Sequence, residues 1–298
     1  MLKNLDMKLI DRISHKLKKI FKYLEYRKIL KDTYREDGGV KFKVNDDFTI
    51  NIHGNFDCSL FHKSKLFPIK VDKIFGSVYI NGEFDFKNFP NWVSGTVQIK
   101  HANNIDCEYL PKYIGKYYRI HHSSFLNNKF IYPDFVGNGS IDLSYNNLSQ
   151  LYLDSRYDIR VSETPLLKAS GVYRANYYLF YTPIGRFASS LSYINNSILT
   201  NDGISSMLDR IDEFDVIREI GNIYYIDILR LEDLIRFIDD EFILDSTIRY
   251  DENKTYSMTN SSQYITISKP KKRDTYYIFD DVLVYRIYIP YEYKLLRS

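Results

Sequence analysis

The 298-residue sequence predicts an α+β protein: an irregular solenoid of about five to six short parallel strands, preceded by a helix and followed by helices and Tyr-rich strands. Two rulers and one alternation predict it. Pro68, Pro90, Pro111 and Pro133, each after an aromatic residue or Leu, fall at steps of 22, 21 and 22. Gly54, Gly76, Gly95, Gly115 and Gly137 fall at steps of 22, 19, 20 and 22. After each glycine comes a short alternating segment whose inward pairs would be Phe56/Cys58, Val78/Ile80, Val97/Ile99, Tyr118/Ile120 and Ile141/Leu143. Such alternation marks a strand with one buried face. A single unit cannot cover that face and must stack on its neighbours.

Residues 1–39 form the first region. Leu2, Leu5, Leu9, Ile13, Leu17, Ile20/Phe21, Leu24 and Ile29 recur at helical spacing over 2–31, with Lys and Arg on the opposite face. Residues 1–35 hold eleven Lys/Arg against Asp6, Asp11, Glu25 and Asp32, a local +7 in a chain of net +3, so the remainder sums to −4. The simplest role is a cap over the open end of the solenoid, which such arrays require. The sharper alternative is a helix for an anionic membrane or nucleic-acid surface. Asp37-Gly38-Gly39 is a good breaker after it.

Residues 40–168 form the solenoid, each unit being one strand, a tight turn and a proline-marked return. The stretch IDLSYNNLSQLYL (141–153) has the spacing apolar-x-apolar-x-x-Asn-x-apolar through Ile141, Leu143, Asn146 and Leu148, one turn of a leucine-rich repeat. The Asn146 amide should turn onto main-chain groups of the next turn. Ser123 holds that place one copy earlier and Asn103 falls one residue late, while the first two copies have no clear equivalent. The ladder is therefore partial, and the N-terminal turns should be less regular.

Residues 169–298 form the last region. The pattern is helical from about 186 to 245, with breaks at Asn201-Asp202-Gly203 and Gly221-Asn222. After 250, SQYITIS, TYYIF and VLVYRIYIPY read as strands. The basic KPKKR (269–273) between two of them reads as a solvated turn.

At LPKYIGKYYRI (110–120) and IDLSYNNLSQL (141–151) the chain resembles the degenerate leucine-rich-repeat proteins encoded by tailed bacteriophages. VSETPL (161–166) is similar to the Thr-Pro ending that closes the final strand in that family, and 213–238 is similar to the helical segment that follows. The resemblance covers about 45–240. It departs from the family in its cysteines, which stand only at 58 and 107, and in the Asn missing from most copies. It implies a binding role and no known reaction.

Composition narrows the classes. The small net charge points to no nucleic-acid partner, and two cysteines build neither a disulfide framework nor a metal cage. No stretch has the apolar run of a secretory signal or of a membrane span. A reducing cytoplasm is the expected setting.

The candidate recognition surface consists of outward strand positions: Asp57/Ser59, Tyr79/Asn81, Gln98/Lys100, Arg119/His121 and Asp142/Ser144. Of these, Tyr79, Gln98, Lys100, Arg119, His121 and Asp142 are the expected partner-binding residues, with aromatics and Arg as anchors. Aligning the repeats on Gly95 and Gly115 puts His101 and His121 at one offset, a pair without a third ligand, so no metal site is expected. Cys58 and Cys107 lack basic neighbours and read as structural. Asp239-Asp240-Glu241 and Asp280-Asp281 read as solvated charge. There is no phosphate-cradling loop, nucleophile elbow or His-Glu-x-x-His. The expectation is a non-enzymatic protein-interaction module without catalytic residues or cofactor, phage-encoded and acting on a host or phage protein in the host cytoplasm. The alternatives are a virion or assembly component, and an enzyme or nucleic-acid binder acting through 170–298.

Overall fold

Each coil of the repeat makes two strands, where the sequence predicts one. A computed structural model describes residues 2–33, 41–57, 69–171, 178–179, 181–194, 201–242, 256–258, 264–273 and 276–296. The chain divides into two compact units, Met1–Asn147 and Leu148–Ser298. Asp37-Gly38-Gly39, Cys58, Ser59, His62 and Pro68 lie outside the described residues.

The first unit is a parallel β-solenoid of about five turns behind the helix α1, Leu2–Thr33. A leading sheet gathers the strands before the corner glycines: Ile50–His53, Val71–Phe75, Trp92–Val93, Tyr113–Ile114 and Phe135–Val136, all parallel. Lys41–Val44 closes its N-terminal edge antiparallel to Ile50–His53. A trailing sheet gathers the strands after the glycines: Phe56–Asp57, Val78–Asn81, Val97–Lys100, Tyr118–His121 and Ser140–Asp142, again parallel.

The inward faces of both sheets form one apolar spine. Ile50, Ile52, Ile74, Val93, Ile114 and Val136 come from the leading sheet, and Phe56, Val78, Ile80, Val97, Ile99, Tyr118, Ile120 and Ile141 from the trailing sheet. Leu143 is buried just beyond the last trailing strand. The returns are not irregular throughout. Phe86–Asn88 and Cys107–Tyr109 are single 3₁₀ turns, capped by the Asp85 and Asp106 carboxylates, which accept from the Lys87 and Glu108 amides. Pro90, Pro111 and Pro133 are buried where the chain leaves these returns.

The corner explains the glycine ruler. A Cβ built on Gly76 would stand 2.1 Å from the Gly54 carbonyl oxygen, on Gly95 2.5 Å from that of Gly76, on Gly115 2.1 Å from that of Ser94, and on Gly137 2.0 Å from that of Gly115. Adjacent coils approach backbone to backbone here, and any side chain would occupy the carbonyl. Gly115 sits over Ser94 rather than Gly95, so the true step between the third and fourth coils is 21, one more than the glycines suggest.

Asn146 turns its amide onto the preceding coil rather than the next. Its Oδ1 accepts from the Ser123 amide at 2.9 Å, while Nδ2 donates to the Ile120 carbonyl at 2.5 Å and the Leu143 carbonyl at 2.9 Å. Ser123 Oγ accepts from the Ala102 amide at 3.2 Å and donates to the His121 carbonyl at 2.8 Å. Ala102 holds the buried place in the coil before, and Asn103 is exposed, its Nδ2 donating to Glu83 at 2.6 Å. In the early coils the rungs move to the corner: Asn55 Oδ1 accepts from the Ser77 amide at 2.9 Å, and Ser77 Oγ accepts from the Thr96 amide at 3.0 Å.

In the second unit Gln150–Leu153 pairs parallel with Lys168–Gly171. Helices follow at Pro183–Ser192, Asn201–Glu213 and Ile228–Phe242. The sequence predicts helix across 217–227, whereas Ile217–Ile220 and Ile223–Asp227 form an antiparallel hairpin. Gly221 and Asn222 take φ of 58° and 62°, the left-handed pair that a two-residue hairpin turn requires, and the flanking Ile and Tyr favour strand. Tyr256–Met258, Tyr264–Arg273 and Tyr276–Tyr288 form an antiparallel sheet. KPKKR is therefore strand rather than turn, with a register shift between Pro270 and Lys271.

Gly115→Ala should lower unfolding free energy by about 3 kcal/mol or more, because the obstructing atom is backbone and cannot yield. At Gly139 a Cβ would have open space and only a φ of 68° to contend with, so Ala there should cost about 1 kcal/mol. Asn146→Ala leaves three buried main-chain groups short of a partner and should cost about 3 kcal/mol. Urea denaturation of the three variants checks all of these.

Candidate functional site

The trailing sheet carries the outward residues in two rows. Parallel pairing aligns Asp57, Tyr79, Gln98, Arg119 and Asp142 on successive coils. Two residues further along, Asn81, Lys100 and His121 form a second row, whereas Ser144, expected to continue it, is buried beyond the end of the last trailing strand. Neighbours in a row are one strand spacing apart, roughly 4.8 Å, so each row is a continuous edge of side chains. Tyr79 is 37 % exposed, Arg119 is also exposed, and Gln98, Lys100, His121 and Asp142 are half-buried. The Arg119 guanidinium lies 5.0 Å from the centroid of the Tyr117 ring, which fixes its reach across the face.

His121 is tied into this surface, with Nε2 3.2 Å from Asp142 Oδ1. The Ser144 amide also donates to Asp142 Oδ1, at 3.2 Å. Burial acts to raise the Asp142 carboxyl, but the close approach of the His121 imidazole and the hydrogen bonds from Ser144 outweigh it and hold the group below the ordinary carboxylate value of 3.8.

His101 and His121 meet through the main chain, the His101 amide donating to the His121 carbonyl at 3.2 Å, and not as a side-chain pair at one offset. Because the step between these coils is 21, Lys100 pairs with His121, and His101 stacks on His122 with ring centroids 5.1 Å apart. Tyr145 continues the column at 4.8 Å. All three take a left-handed φ, 55°, 49° and 63°, at the bend that Gly82 occupies in the coil before. Among the described residues no group of three or more His, Cys, Asp or Glu is placed to hold a metal ion.

The leading sheet bears an aromatic column that the alternation did not reveal. His53 stacks on Phe75 at 4.8 Å, Phe75 on Trp92 at 5.1 Å, Trp92 on Tyr113 at 5.4 Å and Tyr113 on Phe135 at 4.8 Å. Three of the four contacts are within 14° of parallel. The Phe75–Trp92 step is tilted by 57°, because Trp92 pairs with Lys73 and lies diagonal to Phe75. The rings pack on one another along the solenoid axis, while Phe75, Tyr113 and Phe135 remain exposed at the surface. This column reinforces the stack, each contact by roughly 0.5–1.5 kcal/mol. An aromatic residue one to three positions before each corner glycine was its signal in the sequence.

Cys107 is buried, its Sγ 3.5 Å from the Lys129 carbonyl oxygen. Burial, aided by the Asp106 charge, pushes its thiol up to about 12. In the second unit a cleft of about 530 Å³ is lined by Glu163, Tyr181, Arg186, Tyr291 and Glu292, residues that no sequence motif brought together. Neither His nor Cys lines it. The side chains of Asp239-Asp240-Glu241 and Asp280-Asp281 lie outside the described residues. No known protein family, curated protein or solved structure matches the chain.

Two outcomes follow from these environments. The Asp142 carboxylate is favoured in the folded state, so its contribution is full above pH 3.8 and is lost as pH falls below that value. Thermal unfolding from about pH 2 to pH 5 should show an acid-side decline that is shallower in Asp142→Asn. Cys107, as a buried thiol, should resist iodoacetamide in the native chain at about pH 8 and be alkylated only after denaturation, read by peptide mass mapping.

Proposed function

We propose that the chain is a non-enzymatic protein-binding module that engages its partner through the outer face of the trailing sheet. The observation carrying this is the in-register alignment of Asp57, Tyr79, Gln98, Arg119 and Asp142 beside Asn81, Lys100 and His121. An in-register surface of mixed charge with an exposed Tyr and an Arg beside a ring suits surface complementarity, since those two residue types are enriched in binding hot spots. The backbone is braced by corner contacts and amide rungs, so little ordering is required when a partner docks. The leading face suits this less, because its rings are already stacked on one another. The resemblance to phage-encoded repeat proteins supports a bacterial host protein or a phage protein as the partner.

The test is capture from bacterial lysate on the immobilised full chain, comparing wild type, Arg119→Ala/Tyr79→Ala and, on a return segment, Glu108→Ala. A species retained by wild type and Glu108→Ala but weakened roughly tenfold or more by the double variant is the expected result. Indistinguishable profiles for all three would remove the trailing face from consideration.

A further inference from the structure

We propose that α1 is an interfacial anchor that seats the chain on an anionic lipid surface. The inference does not rest on the trailing face. Its first ground is that the side of α1 that touches the solenoid is not its apolar side. Tyr26 and Leu30 are buried, the Tyr26 hydroxyl donates to the Phe48 carbonyl at 3.1 Å, Tyr23 stacks on Phe42 at 5.0 Å, and Lys19 reaches Asp46 at 2.6 Å. The stripe of Leu9, Ile13, Leu17, Ile20 and Leu24, widened by Ile10 and Phe21, lies round the helix from these residues and stays in solvent. Ile13 is 49 % exposed, Leu17 50 % and Phe21 69 %. Contact with the solenoid begins at His15, whose ring centroid lies 5.3 Å from that of Phe48, and it leaves the apolar stripe exposed; a contiguous stripe of this length calls for a covering surface.

Charge selects the surface. Residues 1–35 carry +7 against −4 for the rest of the chain, so the segment is repelled by a second copy of itself and drawn to an anionic layer. Ile10, Ile13, Leu17, Ile20 and Leu24 follow steps of three and four, a spacing that a two-helix seam also uses, so it is the charge of the segment and not its spacing that disfavours a second copy. A narrow apolar stripe flanked by lysines is also the pattern of a helix lying in the plane of a bilayer surface, its lysines reaching outward to the phosphates.

The contact between α1 and the first strand adds a second, independent ground. Ile20, Tyr23, Phe42 and Val44 line an apolar groove of about 480 Å³, and its remaining lining residues are Lys16, Lys19 and Lys43. Hydrocarbon walls with ammonium groups beside them match the junction of an acyl chain and a phosphate headgroup. No helix among the described residues is long and apolar enough to cross a membrane.

The test is co-sedimentation of the full chain with vesicles of phosphatidylglycerol and phosphatidylcholine, and with phosphatidylcholine alone, at about 0.1 M and about 0.5 M salt. Ile13→Glu/Leu17→Glu is the variant, since both positions are exposed and precede the Tyr26 and Leu30 contacts; unchanged thermal unfolding confirms its fold. Wild type should pellet with the anionic vesicles, bind the neutral ones roughly tenfold or more weakly, and release as salt rises. The variant should bind anionic vesicles roughly tenfold or more weakly than wild type. Wild type remaining in the supernatant with both vesicles, or a variant that binds as well as wild type, overturns the proposal. So does a dimer in light scattering that the variant converts to monomer while wild type ignores the vesicles, which would assign the stripe to a second copy.

Discussion

The solenoid depends on a backbone-to-backbone contact at its corner. Where the leading strand turns into the trailing one, the α-carbon of each coil faces a carbonyl oxygen of the coil below so closely that a methyl group would overlap it. That approach lets both sheets keep ordinary strand spacing through a sharp bend. It fixes the phase of every coil, because the inward residues on either side of the corner are counted from it. The glycines at these corners lack a left-handed φ at Gly76, Gly95, Gly115 and Gly137, so lack of a side chain, rather than unusual torsion, selects them.

Once the phase is fixed, like groups fall above like. The rungs differ in how many main-chain groups they satisfy: Asn146 reaches three, Ser123 two, and Ala102 contributes no side-chain polar atom. The early coils are braced instead at the corner by Asn55 and Ser77. Ring columns grow on the leading face and at the left-handed bend for the same reason. The trailing face remains polar, and there alignment creates a surface rather than closing one.

Helix α1 obeys a different rule. Its attachment to Lys41–Val44 and the following turn uses a narrow side bearing Tyr23, Tyr26 and Leu30, whereas its larger apolar stripe stays exposed among the described residues. Amphipathicity establishes that some surface is wanted. It does not say that the surface belongs to the same molecule, and the lysine excess on this segment points outward.

The sequence by itself determined the number of coils, the inward residues among those described, and the outward rows except at Ser144, which is buried, because steric exclusion and burial act on single positions and leave a mark every 19 to 22 residues. It did not reveal the leading strands. Trp92–Val93, Tyr113–Ile114 and Phe135–Val136 are two residues each, too short to alternate, and exist only through pairing with the coils beside them. Nor could spacing fix the register at Gly115, where Ser94 rather than Gly95 lies beneath, and that single residue moved the histidine stack from His121 to His122. The hairpin at 217–227 was masked by a surrounding helical pattern, although its Gly-Asn turn was visible. The side of α1 that meets the solenoid was likewise decided by tertiary contact. Periodicity records which face of a segment avoids water; only packing decides what that face meets.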